Sequence, residues 1–312
     1  MPGWQLALEV VMAAPVNTEK LTKVFGTTEA LVDLDLEMAP GEVLGYLGPN
    51  GAGKTTTIRL LLGILRATRG SARIFGIDAQ ADPAKAHQHI AYVAGEASLW
   101  PGLTGEETLR LLGNIQGNVD AAYRDLLIER FNFDPSRKVR TYSRGNRQKL
   151  MLIAGLMSRA DLLLLDEPTA GLDPLMSQAF RVCVDEARGR GQTVFFSSHA
   201  LSEVEALCDR VAILRDGRLI ELGNLHEMRH LSALTIDADL ERIPDQLASL
   251  AGVRGLVAFD HHVHFHSEGP VEPVLKLLAE VGTEHLLVRE PTLEELFLAH
   301  YGQTAEEGRN GQ

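Results

Sequence analysis

Eight consecutive residues have the types and the spacing of a phosphate-binding loop. The run from Gly48 to Thr55 satisfies the pattern of glycine, four residues, glycine, lysine and then serine or threonine. Glycines let the backbone N–H groups turn inward toward phosphates, and the following helix adds a partial positive charge at its N-terminus. Lys54 is expected to reach the β- and γ-phosphates, and the Thr55 hydroxyl to bind Mg²⁺. The loop predicts a site for a nucleoside triphosphate rather than a chance glycine-rich turn, because further parts of such a site follow.

The elements on either side of the loop are those that this chemistry requires. The apolar run 43–47 predicts a buried strand leading in, and the stretch 56–65 predicts a helix leading out. Contacts to the nucleotide are expected from Gly48, Pro49, Asn50, Gly51, Ala52, Gly53, Lys54, Thr55 and Thr56.

Two adjacent carboxylates, Asp166 and Glu167, end the apolar run 162–165. Because burying two charges at the tip of a strand is costly, both are expected to have ligands. Asp166 is predicted to hold Mg²⁺, directly or through water, opposite Thr55. Glu167 is predicted to accept a proton from the water that attacks the γ-phosphate. The alternative is an acidic helix cap, but Pro168 favours a stiff turn at this point.

The order of apolar and helical segments predicts how the chain is organised. Residues 18–223 alternate short apolar runs with helical stretches, which is typical of a mostly parallel α/β domain. Within it, residues 103–159 hold many helix formers and predict a helical insertion. The predicted strands are 41–47, 161–166, 193–197 and 210–214, followed by a hairpin that turns at Asp216 and Gly217.

The flanking segments differ in character from this domain. Residues 1–17 predict a variable leader before the first strand, residues 224–302 a small α+β domain, and residues 303–312 a disordered tail. Short strands are expected at 233–236, 263–265 and 285–288. A helix is expected at 292–301, with Leu293, Leu296 and Phe297 on the face that docks.

Composition limits the partners and the location of the chain. Its 42 acidic and 30 basic residues give a formal net charge of −12, which argues against a nucleic-acid partner. No apolar run approaches the roughly 18 residues that a membrane helix requires. The first 16 residues lack a basic region and a cleavage site, so the chain is predicted to be cytosolic.

Four histidines lie close together at His261, His262, His264 and His266. The last three would share one face of a strand, as metal ligands can. No cysteine or pair of carboxylates is near in sequence, and Glu268 is the only close acid. Structural packing is therefore favoured over a metal site.

Four motifs, in their order along the chain, resemble those of the nucleotide-binding subunits of ABC transporters. They are the phosphate loop, the apolar strand with Asp-Glu, the run Ala170-Gly171-Leu172-Asp173 and the run Ser197-Ser198-His199. The resemblance covers about residues 18–223. It implies a P-loop NTPase cassette, with a mostly parallel core sheet and with antiparallel β and helical subdomains. Tyr142-Ser143-Arg144-Gly145-Asn146 resembles a divergent form of the family signature, which is more often Leu-Ser-Gly-Gly-Gln. An ordinary helix start capped by Ser143 is the alternative.

The resemblance also implies a head-to-tail dimer, either of two copies or with a different cassette, that holds two ATP molecules between its subunits. Ser143 and the backbone N–H of Gly145 would then contact the γ-phosphate bound by the other subunit. Asp173 would reach across the same interface.

Three further roles follow from the family pattern. His199 would sense the γ-phosphate beside Glu167, and Phe25 would stack on adenine, although a phenylalanine is more often a core residue. The family's glutamine that links Mg²⁺ to the membrane partner should fall where this chain has Gly95. Two alternatives stay open: Glu96 ligates Mg²⁺ in its place, or the loop works without that contact.

The segment 290–297 resembles the end of the drug and antibiotic export branch, similar to daunorubicin-resistance ATP-binding subunits. This implies a separate integral membrane permease, whose cytoplasmic helices would rest in the groove between the α/β core and the helical insertion. The expected activity is ATP hydrolysis at the cytoplasmic face of the cell membrane that drives export of a hydrophobic drug, antibiotic or lipid. The alternative is a soluble ABC ATPase acting on a ribosome or nucleic-acid complex. Such proteins normally have two cassettes or a long coiled coil, and a basic surface, none of which is evident in the sequence.

Overall fold

The computed structural model describes residues 13–95, 99–117, 119–225, 234–290 and 295 of the 312-residue chain. The chain forms two compact units, Met1–Leu222 and Gly223–Gln312. Within the described ranges, no helix is both long enough and apolar enough to cross a membrane.

The first unit contains two sheets. Its strands, of which the last ends just past the unit boundary, are β1 (Val16–Phe25), β2 (Thr28–Glu37), β3 (Val43–Leu47), β4 (Arg69–Ile74), β5 (Ile77–Asp78), β6 (Ile90–Val93), β7 (Leu162–Asp166), β8 (Thr193–Ser198), β9 (Arg210–Arg215) and β10 (Arg218–Asn224). Its helices are α1 (Lys54–Leu61), α2 (Pro83–His87), α3 (Gly105–Gln116), α4 (Ala121–Arg130), α5 (Arg144–Leu156), α6 (Pro174–Gly189) and α7 (Leu201–Leu207), with a 3₁₀ turn at Val139–Thr141.

The core sheet has the strand order β10-β9-β3-β8-β7-β6. Strands β3, β7 and β8 are buried along their whole length, as expected for parallel strands that are covered on both faces. The register pairs Leu47 with Ser198 and Asp166 with Ser197. Because neighbouring parallel strands end at one edge, the segments that follow β3, β7 and β8 meet there.

A second, antiparallel sheet has the order β2-β1-β4-β5. One hydrophobic core joins the two sheets through α1, with Leu34 from β2, Ile58 from α1 and Leu164 from β7 among its buried members. Helix α1 is therefore held by apolar packing on both sides. This confirms the predicted combination of a parallel core with antiparallel strands.

Several element ends differ from the sequence prediction. Helix α1 begins at Lys54 rather than at residue 56, and it ends at Leu61 rather than at residue 65. The chain leaves the helix because Gly63 has a φ of +65° and its N–H bonds back to the Leu60 carbonyl. Strand β1 begins at Val16, inside the segment predicted as a leader, because Val16 is fully buried.

Residues 103–159 contain α3, α4 and α5, as predicted for a helical insertion. Helix α3 starts with a reciprocal cap between Thr104 and Glu107. A polar cluster joins α4 to α6 of the core. The Arg130 guanidinium donates to both carboxylate oxygens of Glu186 at 2.8 Å, and the Tyr123 hydroxyl donates to the same carboxylate at 2.8 Å. This cluster fixes α4 against the core.

The second unit contains a four-stranded antiparallel sheet of order β12-β13-β11-β14. Its elements are β11 (Leu234–Leu240), β12 (Val253–Phe259), β13 (His262–Ser267), α8 (Glu272–Glu280) and β14 (Thr283–Arg289), with a 3₁₀ turn at Leu247–Ser249. Strand β12 was not predicted; its residues are largely exposed and show no clean alternation. The predicted helix 292–301, apart from Glu295, and the predicted tail 303–312 lie outside the described residues.

The histidines of β13 lie on the sheet face opposite the hydrophobic core. The inference that Glu268 is the only close acid is wrong, because Asp260 directly precedes His261 and strand pairing brings two aspartates of β11 beside the histidines of β13. His264 Nδ1 lies 2.6 Å from Asp237 Oδ1, and His262 Nδ1 lies 2.8 Å from Asp239 Oδ1. In the described part of the chain, no group of three or more His, Cys, Asp or Glu side chains has an arrangement that would hold a metal ion.

The link between α4 and α6 yields a prediction about stability. The Arg130 guanidinium holds the pKa of Glu186 below its usual value, so the ion pair stabilises the folded chain above the unfolded pKa of about 4.3. Glu186→Gln should lower the free energy of unfolding at pH 7 by about 1 kcal/mol, a modest value because the pair is partly exposed. The difference from wild type should disappear as the pH falls through the folded pKa. Urea denaturation at several pH values measures it.

Asp185→Asn is the matched control for this variant, because Asp185 is the exposed neighbour on the same helix. It should leave the denaturation midpoint unchanged. Equal midpoints for Glu186→Gln and wild type at neutral pH would contradict a stabilising role of the ion pair.

Candidate active site

The phosphate loop runs from the end of β3 into the first turn of α1. Gly53 caps the helix with a φ of +108°, and a Cβ at this position would stand 2.7 Å from the Ala30 carbonyl oxygen. Only glycine fits there. The Lys54 ammonium lies along the loop and donates to the carbonyl oxygens of Gly48 at 2.6 Å and Pro49 at 3.2 Å. The lysine is therefore held at the mouth of the loop.

A pocket of about 170 Å³ opens above this loop. Its walls are Ala30, Pro49, Asn50, Gly51, Gly53, Lys54, Thr55, Thr56 and Glu167. Two of the predicted contact residues, Gly48 and Ala52, do not line it. Ala52 is buried, and a Cβ on Gly48 would meet the Leu214 carbonyl oxygen at 2.7 Å. These two residues shape the loop from behind.

Asp166 ends β7 and is 5% exposed. Its Oδ1 accepts a hydrogen bond from Ser197 Oγ at 2.7 Å and one from Thr55 Oγ1 at 3.4 Å. A hydroxyl and a carboxylate oxygen thus face each other beside the phosphate loop. Hard oxygen ligands are those that Mg²⁺ prefers, and Mg²⁺ commonly takes one or two protein oxygens and fills its shell with water and phosphate oxygens. The residues present fit a magnesium ion.

Glu167 follows with a φ of +46°, a left-handed conformation that is uncommon for a residue other than glycine. Hydrogen bonds from its backbone N–H to the carbonyl and the Oγ of Ser197, both 3.1 Å, hold it there. The carboxylate lies 3.4 Å from Lys54 Nζ and 3.3 Å from His199 Nδ1. His199 is 60% exposed. The carboxylate therefore faces the mouth of the phosphate pocket.

A second pocket, of about 290 Å³, adjoins the first, and Thr55 and Glu167 line both. Its other walls are Arg59, Tyr92, Ala94, Gly95, Arg144, Asp166 and Ala170. Burial, with a smaller contribution from the Asp166 charge, raises the pKa of Tyr92 to about 12, so this phenol stays protonated.

Gly95, which is expected where the family pattern has glutamine, lies close to the end of β7. A Cβ on Gly95 would stand 2.8 Å from the Asp166 carbonyl oxygen, so any side chain there would push against the end of β7. Glu96 lies outside the described residues, and its role as a Mg²⁺ ligand stays a prediction.

The signature segment begins α5. The Ser143 hydroxyl accepts from the Asn146 N–H at 3.3 Å and so caps this helix. Asp173 caps α6 in the same way, through Met176. A Cβ on Gly145 would stand 3.0 Å from the Gly171 carbonyl oxygen, so the start of α5 lies close to the segment that precedes α6.

Phe25 lies at the end of β1, with its ring 46% exposed and Lys23 Nζ 4.8 Å from the ring centroid. It lines neither of the two pockets. Its contact with adenine stays a prediction.

Three contacts of the site were missed from the sequence. Ser197 forms hydrogen bonds with Asp166 and Glu167. Gln148 of α5 donates to the Pro168 carbonyl at 2.8 Å. Arg144 lines the second pocket. The sequence did contain a signal for the Ser197 contact, because this serine ends a buried strand, as the Asp-Glu pair does. The other two join segments distant in the chain.

Known proteins support the same assignment. A family model described as ABC transporter matches residues 31–170. The daunorubicin/doxorubicin resistance ATP-binding protein of Streptomyces peucetius is 35% identical, over 94% of both chains. The linearmycin resistance ATP-binding protein of Bacillus subtilis is 31% identical, over 93% of this chain and 99% of that one. This chain belongs to the ABC transporter ATP-binding family.

Solved cassettes share its fold. The structure of an ATP-binding subunit of an ABC transporter matches 69% of this chain and 92% of its own, with a TM-score of 0.64 and 29% identity. A dimeric cassette bound to ADP and Pi matches 67% of this chain and 98% of its own, with a TM-score of 0.61 and 22% identity. The cassette of this chain is an ATP-binding domain that hydrolyses ATP.

The position of Lys54 at the phosphate loop predicts that replacing this lysine weakens ATP binding. Lys54→Ala should weaken ATP binding by roughly 10²-fold or more, because the charge-assisted bonds to phosphate are lost. Isothermal titration measures the affinity. Lys85→Ala removes an exposed lysine of α2 and should bind ATP normally. Unchanged affinity in the Lys54 variant would refute the assignment of the phosphate loop.

Glu167→Gln separates binding from chemistry. The amide keeps the shape of the side chain but accepts no proton, so turnover should fall by about 10²- to 10⁴-fold while ATP affinity is kept. Steady-state phosphate release measures the turnover. Glu129→Gln, at an exposed position of α4, serves as the control. Hydrolysis at the wild-type rate would remove Glu167 from the role of general base.

Proposed function

We propose that this chain is the motor subunit of an ABC exporter, which drives a separate membrane permease to export a hydrophobic drug, antibiotic or lipid. The names of its relatives, which refer to resistance to daunorubicin, doxorubicin and linearmycin, support this class of cargo. The resemblance covers nearly their whole length. On this proposal the chain is peripheral, on the cytoplasmic face of the membrane.

The observation that carries the proposal is a groove of about 400 Å³ that shares a wall with the catalytic pocket. Tyr92 of β6 lines both. The rest of the groove comes from Leu62, Ile64, Ala84, His87, Gln88, Ile90, Leu112, Ile115, Gln116, Ser158 and Ala160. It therefore lies between the core and the helical insertion. An occupant of the groove would touch the strand next to the one that carries Asp166.

The groove has the surface chemistry of a docking site. Ile64 and Ile115, which are 63% and 70% exposed, stand on its two walls. Exposed aliphatic groups gathered at one site are typical of a protein interface. Gln116 Oε1 is buried and has no hydrogen-bond partner among the described residues, so a donor on the occupant would satisfy it. A short amphipathic helix of the permease fits these features.

The site residues take the following roles in this proposal. The loop N–H groups and Lys54 bind the phosphates of ATP, and Glu167 accepts a proton from the attacking water, with His199 beside it. Thr55 and Asp166 would hold Mg²⁺, which neutralises charge on the phosphate oxygens. Ser197 keeps both carboxylates in position through its hydrogen bonds.

A head-to-tail dimer is part of the proposal. The starts of α5 and α6, capped by Ser143 and Asp173, lie close together, and the N-terminus of α5 favours an anion. A phosphate held by a second cassette would be the anion. ATP then closes the dimer, and hydrolysis removes the γ-phosphate that links the two subunits.

A pull-down from detergent-solubilised membranes tests the exporter function. Tagged Glu167→Gln protein with ATP should recover a membrane protein with several spanning helices, identified by mass spectrometry. Adding Ile115→Glu should reduce recovery at least tenfold, because a charge is then buried against an apolar occupant. Leu126→Glu, at an exposed leucine of α4 outside the groove, is the control and should recover it normally.

Two results would count against this proposal. Recovery of only ribosomal or soluble partners would favour a cytosolic ATPase. Recovery of the membrane protein by Ile115→Glu at the wild-type level would show that the groove is not where the permease docks.

A further inference from the structure

Four helices of the first unit end at the groove between the core and the helical insertion. The C-cap Leu62 of α1, the C-cap Gln88 of α2 and the last residue of α3, Gln116, all line it. Ser158, which follows the C-cap of α5, lines it as well. The last carbonyl groups of a helix carry the partial negative charge of its dipole. These helix ends therefore give the groove a negative potential.

The side chains of the groove add hydrogen-bond acceptors to this potential. The described residues that line it include no aspartate, glutamate, lysine or arginine, so no fixed side-chain charge offsets the helix ends. The Gln116 Oε1 atom is buried and has no partner among the described residues. His87 Nε2 lies 2.7 Å from the Leu62 carbonyl oxygen and donates to it, which leaves Nδ1 of the neutral ring as an acceptor. The groove thus offers acceptors in a negative field.

The apolar part of the groove suits the stem of a long basic side chain. Arginine and lysine lay their methylene groups along apolar surface while the charged head reaches polar groups. Ile64 and Ile115 supply exposed aliphatic surface on the two walls, and Tyr92 supplies an aromatic ring, whose face attracts cations. An acidic side chain in the same place would meet the negative ends of the helices.

We propose that the groove recognises a basic side chain, an arginine or a lysine, on the permease segment that docks there. The charged head donates to Gln116 Oε1 and to the carbonyl groups at the helix ends. Neighbouring apolar side chains of the same segment pack on Ile64 and Ile115. A segment with an apolar residue at this point would leave the Gln116 acceptor unpaired. The inference rests on the proposed exporter function and names the chemistry by which the motor selects its permease.

The first test reverses the charge at position 116 in tagged Glu167→Gln protein and repeats the pull-down with ATP. Gln116→Lys sets two positive charges against each other and should reduce recovery of the membrane protein at least tenfold. Gln116→Glu gives the basic side chain a carboxylate and should retain recovery, although Ile115→Glu loses it. Asn114→Lys and Asn114→Glu, at an exposed position of α3 that does not line the groove, are the matched controls and should not change recovery. Unchanged ATP affinity by isothermal titration verifies that each variant is folded.

The second test identifies the docked segment directly. A photoreactive phenylalanine analogue at position 115 of the Glu167→Gln protein is irradiated with ATP in solubilised membranes, and mass spectrometry identifies the cross-linked peptide. The peptide should contain an arginine or lysine within about one helical turn, roughly four residues, of the cross-link. Replacing that residue with glutamate should abolish recovery, and Gln116→Lys should restore it because both charges are then reversed.

Other outcomes overturn the inference in distinct ways. Equal recovery by Gln116→Lys and Gln116→Glu, whether high or low, would show that charge in the groove does not select the permease. Better recovery by Gln116→Lys would indicate an acidic residue on the segment, and a cross-linked peptide without a nearby arginine or lysine would also contradict the inference. If the Glu167→Gln protein without further changes recovers no membrane protein, the exporter function itself fails.

Discussion

The hydrogen bond between Ser197 and Asp166 depends on the parallel register of β7 and β8, and the active site depends on it in turn. A carboxylate at the buried tip of a strand is costly unless nearby groups donate to it. The register places Ser197 directly opposite Asp166, so one hydroxyl binds this carboxylate while the same residue receives the Glu167 N–H. A shift of one residue would turn these side chains to the other face of the sheet. Strand pairing therefore fixes the positions of the two carboxylates.

Packing and an ion pair hold other elements of the first unit beside that edge. Helix α1 is packed between two sheets, which fixes the direction in which Lys54 leaves the loop. The ion pair between Arg130 and Glu186 attaches the helical insertion to α6, the helix that Asp173 caps.

The sequence was sufficient for the features that depend on local pattern. The phosphate loop, the strand with Asp166 and Glu167, and the alternation of strands and helices were predicted because each has a short motif or a periodicity. Contacts across the fold were not predictable in this way. Asp237 and Asp239 join the histidines of β13 only through strand pairing, and Arg144 lines the second pocket beside Asp166 and Glu167 although it lies on a different element. Burial and register, which one sequence does not contain explicitly, decide these contacts.

The left-handed backbone of Glu167 has a consequence for how this chain can change over time. A residue other than glycine in that conformation costs on the order of 1 kcal/mol or more, and the hydrogen bonds to Ser197 hold it there. Glycine at this position would relieve the cost, so a mutation that stabilises the fold is one that removes the carboxylate. Selection for thermal stability alone would therefore tend to turn this cassette into one that still binds ATP and no longer hydrolyses it.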